Sequence, residues 1–191
     1  MPNDVFPALG LKLVLLRSFD KIISKLTKSK LFNTTIKKKS QPLSNQNPRW
    51  VSQKKWGAEK LYYFSHFLFI KGLKRMAYLT KYINTLVFRN FIPPEAKICK
   101  RLDLPHGGFG FVMHEDTSIG DDAIIFHNVT IANGGTRIGD RVYIGTGSVI
   151  LGAVQIGNDV VIGANSFVNF DIPDGATVVG QPAKIIKLSL A

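Results

Sequence analysis

Imidazole is the side chain that titrates nearest neutrality, so the four histidines of the chain, His66, His106, His114 and His127, are where a proton-transfer site is first sought. Two of them stand in equivalent places. His106 follows Leu104 by two residues and His127 follows Ile125 by two, in an array of evenly spaced apolar residues. From Leu104 to Ile125 is 21 residues, one 18-residue coil plus three extra, and the glycine-rich PHGGFG stretch at 105–110 can hold the extra three as a local bulge. The two imidazoles then stack on adjacent coils, about 4.8 Å apart at the spacing of neighbouring strands. His127 in that position either lines a site or caps a coil edge. His114, in MHEDTS, reads as a solvated turn residue, and His66 as a packed residue of a helical region. The single cysteine, Cys99 beside Ile98, reads as a small apolar residue rather than a nucleophile.

The array that positions these residues runs from Ile119 to Val168. One position in six gives Ile119, Ile125 and Ile131, and after a one-residue slip Ile138, Ile144, Ile150, Ile156, Ile162 and Val168. That period fits neither an α-helix nor an alternating strand. It is the period of hexapeptide parallel β-helices, in which three hexapeptides close one triangular coil and the apolar column points inward. Ile119, Ile138, Ile144, Ile156 and Ile162 are each followed by glycine, as expected of corners where positive φ or close backbone approach penalises a side chain. A second insertion falls at Asn133-Gly134-Gly135-Thr136, one edge beyond the first. Asp121-Asp122, Asp171 and Asp174 read as exposed turn residues.

Ahead of the repeats, apolar residues recur at helical spacing: Leu61, Phe64 and Leu68, then Leu73, Met76, Leu79, Ile83 and Leu86. Gly72 is a break between two helices, and Pro93-Pro94 closes the region because a residue before proline avoids the helical basin. The chain therefore divides into a basic amphipathic segment and linker (1–49), a helical region (50–91) and a β-helix (92–191), mainly β overall.

The net charge of +12 is unevenly held: +8 in residues 1–49, +7 in 50–97 and −3 in 98–191. An anionic partner for the front half is the expectation. Residues 5–28 are amphipathic, with Lys12 and Arg17 breaking any run long enough for a signal peptide or a membrane span. That segment either packs on its own protein with a solvated lysine face or lies in the plane of a membrane. The Lys37–Lys39 run lacks interleaved aromatics, which argues against nucleic acid. One cysteine suits a reducing compartment, hence the cytoplasm, with membrane association through residues 1–49 as the variant of that expectation.

LPHGGFGFVM, FHNVTIANGG, YIGTGSVILG, VIGAN and the closing DIPDGATVVGQPAKII together resemble the serine acetyltransferases, and most closely their relatives in polysaccharide gene clusters. SHFL at Ser65–Leu68 is similar to the family's Ala-His-Trp-Leu, and IPPEAKI at Ile92–Ile98 also matches. The closing G-x-P-A-[KR] is common to many hexapeptide acyltransferases, whereas the LPH-plus-glycine segment is particular to this family.

The resemblance implies a left-handed β-helix, trimers or dimers of trimers, and active sites in the clefts between neighbouring β-helices. It implies acetyl-CoA as acetyl donor, lying beside the C-terminal coils, and no metal. The family's catalytic histidine falls on His106, as general base for an acceptor hydroxyl. Gly134 and Gly135 become candidates for the oxyanion donors, Gly145, Thr146, Gly163 and Ala164 for the wall beside pantetheine, and Lys184 and Lys187 for the CoA phosphates. Three departures stand out. The aspartate fifteen residues before the catalytic histidine is Phe91 here, the one immediately before it is Pro105, and the loop after the double glycine is short and lacks its histidine. Asp103 and His127 are the residues expected to take over as orienter and second histidine. Serine is the acceptor the family implies; a sugar hydroxyl in surface-polysaccharide assembly, or a non-catalytic β-helical scaffold, is the alternative. Three histidines on a β-helix also resemble the zinc carbonic anhydrases of that architecture, but those lack GQPAK and LPH.

Overall fold

The computed structural model describes residues 57–188; the basic segment, its linker and any membrane contact they make lie outside them. Helix α1 (Ala58–Ile70) starts with Glu59 in its first turn, where a carboxylate favours the positive end of the helix dipole. It stops at Lys71, and Gly72 takes a positive φ of 79° as the break expected from sequence. Helix α2 (Lys74–Phe88) returns antiparallel and ends on Arg89 in the left-handed conformation. The pair is tied together by Ser65 Oγ donating to the Ala77 carbonyl (2.7 Å) and Asn84 Nδ2 to the Ala58 carbonyl (2.9 Å).

The chain then winds into a parallel β-helix of short strands on three faces. The first face carries β1 (Lys97–Ile98), β3 (Ser118–Ile119), β6 (Arg137–Ile138) and β9 (Gln155–Ile156). On the second are β4 (Ile124–Ile125), β7 (Tyr143–Ile144), β10 (Val161–Ile162) and β12 (Ala176–Gly180), closed by the antiparallel β13 (Ala183–Leu188). The third holds β2 (Val112–Met113), β5 (Thr130–Ile131), β8 (Val149–Ile150) and β11 (Phe167–Val168). Isolated bridges from Phe91 to Val112 and from Asp103 to Ile124 extend the third and second faces by one coil.

All nine residues of the six-residue array are buried at 4% exposure or less, and Ile92, Ile98, Leu104, Met113, Ile172 and Val178 continue the column at both ends. A second inward row stands two residues earlier in each repeat, where Ala123, Val129, Val142, Val154 and Val160 are apolar and Ser148 and Ser166 donate to the Gly163 carbonyl. The glycines after the isoleucines do not take positive φ. They are required by contact between coils: a Cβ on Gly139 would stand 2.7 Å from the Gly157 carbonyl oxygen, and one on Gly145 2.5 Å from the Ala164 amide nitrogen. Positive φ falls instead on residues such as Asp122, Asn128, Arg141, Asp159 and Asn165.

Asp121 and Asp174, expected as exposed turn residues, also belong to a ladder along the edge between the first and second faces. Asp121 accepts from the Lys100 amide, Asp140 from the Asp121 amide, Asn158 from the Asp140 amide and Asp174 from the Asn158 amide, all within 2.6–2.8 Å. Each side chain replaces water on a backbone N–H that the narrow coil leaves unpaired at its corner. The signal was available, since Asp121, Asp140, Asn158 and Asp174 each follow a column isoleucine by two residues.

Helix α1 covers the first coil. The Tyr62 hydroxyl donates to the Ala96 carbonyl (2.6 Å) and that of Tyr63 to the Cys99 carbonyl (2.7 Å). His66 Nδ1 lies 2.7 Å from the Pro94 carbonyl, and its ring stacks on Tyr62.

Candidate active site

The edge between the second and third faces carries the histidines. Pairing of Asp103 with Ile124, of Ile125 with Ile144, of Ile144 with Ile162 and of Ile162 with Val178 puts His106, His127, Thr146 and Ala164 in one file along that edge. Pro105, Phe126, Gly145, Gly163 and Val179 form the file beside it. The rings of His106 and His127 are 5.2 Å apart and perpendicular. Phe126 lies 6.2 Å from His106 and 5.3 Å from Tyr143, so an aromatic strip flanks the imidazoles.

His106 is exposed and sits at φ 59°, ψ 23°, a left-handed conformation uncommon for a residue with a Cβ. The bulge that holds it is a 3-10 turn, Pro105–Gly108, clamped by both helices. A Cβ on Gly107 would stand 3.0 Å from Phe88 of α2, and one on Gly108 3.2 Å from the Ala58 Cβ of α1 and 2.9 Å from Leu104. Gly110 packs on the Asn128 side chain of the next coil, leaving no room for a Cβ there either. Three glycines therefore let the two helices and the next coil close on the turn and push the imidazole outward. His127 is half-buried, and its Nδ1 has no hydrogen-bond partner. Its carbonyl accepts from Thr146 Oγ1 (2.9 Å) and the Gly147 amide (3.2 Å), so the Thr146 hydroxyl braces His127 from the coil above.

Gly145, Gly163 and Ala164 continue the histidine edge as small residues. Past them, Lys184 pairs with Val179 and Lys187 with Thr177 on the outermost strand, both exposed. At about 4.8 Å per coil, the distance from the His106 level to the Gly180 level is about 19 Å along the edge.

Gly134 and Gly135 are elsewhere. They follow β5 and turn the edge between the third and first faces, so within one chain they do not meet His106. The Gly134 amide donates to Asp116 Oδ2 (3.1 Å), and His114 Nδ1 holds the other carboxylate oxygen at 2.7 Å. The His114 bond first and the two glycine amides after it keep the Asp116 carboxyl below the usual carboxylate range. Within one chain these glycines therefore do not stand beside the base. Spacing already separates them, because Gly134 lies three residues after a third-face column residue and the histidines two after second-face ones. His114 shares the Gly134 edge, so within one chain the three β-helix imidazoles do not converge. Among the described residues no group of three or more His, Cys, Asp or Glu side chains could hold a metal ion.

Asp103 stands on the outer side of the second face, three residues before His106, and its charge is felt by Glu59. Burial first, and Asp103 in addition, push the Glu59 carboxyl up to about 7. At the positions where the family resemblance implies carboxylates, Pro105 is buried, and Phe91 carries the Lys81 ammonium 3.7 Å above its ring.

Residues 135–169 match the family described as bacterial transferase hexapeptide (six repeats). A serine acetyltransferase of Helicobacter pylori is 45% identical over 102 residues, half of this chain and 59% of that protein. The serine acetyltransferase of Neisseria gonorrhoeae, solved in complex with serine, superposes with a TM-score of 0.63 at 37% identity, over 66% of this chain and 54% of that one. That of Brucella abortus, solved with coenzyme A, gives 0.66 at 32% identity, over 70% and 56%. The chain is similar to the serine acetyltransferases in both sequence and fold. Its coil is accordingly the left-handed parallel β-helix of the hexapeptide transferases. It spans little more than half the length of these relatives.

Proposed function

We propose that the chain is an acetyl-CoA-dependent O-acetyltransferase with His106 as general base. The observation that carries this is an exposed imidazole, held in a strained turn on a prism edge beside a second imidazole, at one end of a file of small residues that leads to two lysines. His106 takes the proton of an acceptor hydroxyl as the oxygen attacks the thioester carbonyl. The C–S bond breaks as the tetrahedral intermediate collapses, and the imidazolium returns the proton to the departing thiolate. His127, against the His106 ring, fills the role of second histidine. Asp103, on the coil that bears His106, is the carboxylate that orients it. Pantetheine lies along Gly145, Thr146, Gly163 and Ala164, with Lys184 and Lys187 at its phosphates.

A homotrimer, or a dimer of trimers, completes the site. The Gly134-Gly135 edge of one copy meets the histidine edge of the next, and its amides face the developing oxyanion. Serine is the first-named acceptor, because a family member has been solved with it. A sugar hydroxyl is the second reading, favoured by Pro105 and the Lys81-capped Phe91 in place of carboxylates and by the Phe126–Tyr143 strip. Reliance on CoA and a single cysteine support the cytoplasm as the place of action.

Thiol release from acetyl-CoA, followed with serine or with nucleotide sugars, tests the proposal. His106→Ala should lower kcat by about 100-fold or more with the acceptor intact. Release only with sugars selects the second reading. If wild-type protein neither binds acetyl-CoA nor releases thiol with any acceptor, the chain is a scaffold.

A further inference from the structure

Helix α2 is arranged inside out. The residues it buries against α1 are Ala77, Thr80 and Asn84, small or polar. Leu73, which caps it, and Met76, Leu79, Tyr82 and Leu86 along it face outward at 52–68% exposure, joined by Ile70 from the end of α1 at 67%. Apolar residues at intervals of three and four make one continuous stripe, larger than the scattered exposed leucines of an ordinary surface. The charges that the helical pair itself carries from residue 60 onward have one sign, and the nearest carboxylates, Glu95 and Glu115, lie by Tyr78 and Lys81, with Glu95 accepting from the Tyr78 hydroxyl. From Lys60 to Pro94 there are six cations, Lys60, Lys71, Lys74, Arg75, Lys81 and Arg89, and no Asp or Glu. Lys71 and Lys74 lie over the rings of Phe67 and Phe69, and Lys81 over Tyr82, so cationic heads border apolar bodies along the helical pair.

We infer that the outer face of α2 docks on an anionic lipid surface, with Met76, Leu79, Tyr82 and Leu86 at the boundary of the acyl region and Lys74 and Arg75 among the headgroups. The charge pattern selects this occupant. A second copy meeting the same face would set like charges against each other. Residues 1–49 of the chain carry a net +8 and are of the same sign again. A bilayer bearing anionic lipid supplies apolar depth and opposite charge together, and gains about 1 kcal/mol for each basic residue near its surface.

Sedimentation of the full chain with vesicles tests this, using phosphatidylglycerol-rich and purely phosphatidylcholine vesicles at low and high salt. Wild type should partition onto the anionic vesicles at least tenfold better than onto the neutral ones, and less at high salt. The triple variant Leu79→Ser, Tyr82→Ser, Leu86→Ser should lose about tenfold or more of that partitioning, and Lys74→Glu with Arg75→Glu a comparable amount. All of these residues are exposed except for packing along the helix surface, and circular dichroism with light scattering on each variant checks that fold and assembly persist. Binding unchanged in both variants would overturn the inference and assign lipid contact to residues 1–49. Wild type that binds neither vesicle would overturn it in favour of an acidic protein partner. A triple variant that binds like wild type but falls to a smaller assembly would show the face to be an interface between copies.

Discussion

The left-handed backbone of His106 is held by neighbours rather than by the residue itself. Gly107 and Gly108 leave just enough room for Phe88, Ala58 and Leu104 to press the turn outward. Gly108→Ala adds a methyl 2.9 Å from Leu104 Cδ1 and 3.2 Å from Ala58 Cβ at a φ of 70°, against a Leu104 side chain that is itself buried in the core. Its expected effect is a shift of the His106 ring and a fall in kcat of about tenfold or more, with the KM for acetyl-CoA nearly unchanged; steady-state kinetics on the variant checks it. Glu59 gives a different residue-scale outcome. Its carboxyl is raised from 4.5 to about 7 by burial, so the folded state holds that proton where the unfolded chain has lost it. Stability from this group is complete below about 4.5 and falls as pH rises through about 7, by on the order of 2–3 kcal/mol. Urea titrations from pH 5 to pH 8 should show that decline in wild type and a flatter profile in Glu59→Gln.

The β-helix was legible from sequence because its period has no competitor: six-residue spacing puts Ile144 and Ile162 at equivalent points of successive coils and nowhere else. Its column is also where truncation should cost most. Ile144 is fully buried, stacked between Ile125 and Ile162, and neighbouring coils cannot collapse onto a void without breaking register. Ile144→Ala should lose about 2–5 kcal/mol in chemical denaturation, most of it seen as a lower midpoint at unchanged slope. The stacking of His106 and His127 was legible for the same reason, since it needed only the residue count between two column positions and a bulge confined to PHGGFG. The Asp121–Asp174 ladder was missed because turn aspartates were read one at a time, while their hydrogen bonds run between coils. The outward direction of the α2 stripe was not legible, for a different reason. Leu73, Met76, Leu79 and Leu86 keep a helical period that says one side is apolar, and periodicity alone cannot say whether that side faces in or out. Ala77, Thr80 and Asn84 decide it, because the hairpin to α1 is closed by side-chain to backbone bonds rather than by large apolar contacts.

At the scale of the whole molecule, a three-faced prism separates what a catalytic site would need on different edges. His106 and His127 are on one edge and the Gly134-Gly135 amides on another, so a base and an oxyanion donor from a single chain face different directions. The cyclic trimer proposed above would bring the two edges together, each cleft built from the histidine edge of one copy and the glycine edge of the next. This arrangement can be separated from a site contained in one chain by mixing two inactive proteins. One carries His106→Ala. The other carries Gly135→Trp, whose side chain would leave from a position with no atom within 4 Å and so project into the cleft. Co-expressed in equal amounts and assembled at random, the two should give about a quarter of the clefts an intact histidine edge facing an intact glycine edge. Acetyl transfer should therefore recover to about a quarter of wild type in the mixture while each variant alone stays near background. A Gly135→Trp protein active on its own would remove Gly134 and Gly135 from the site, and a mixture no more active than two inactive components would overturn the cleft shared between copies.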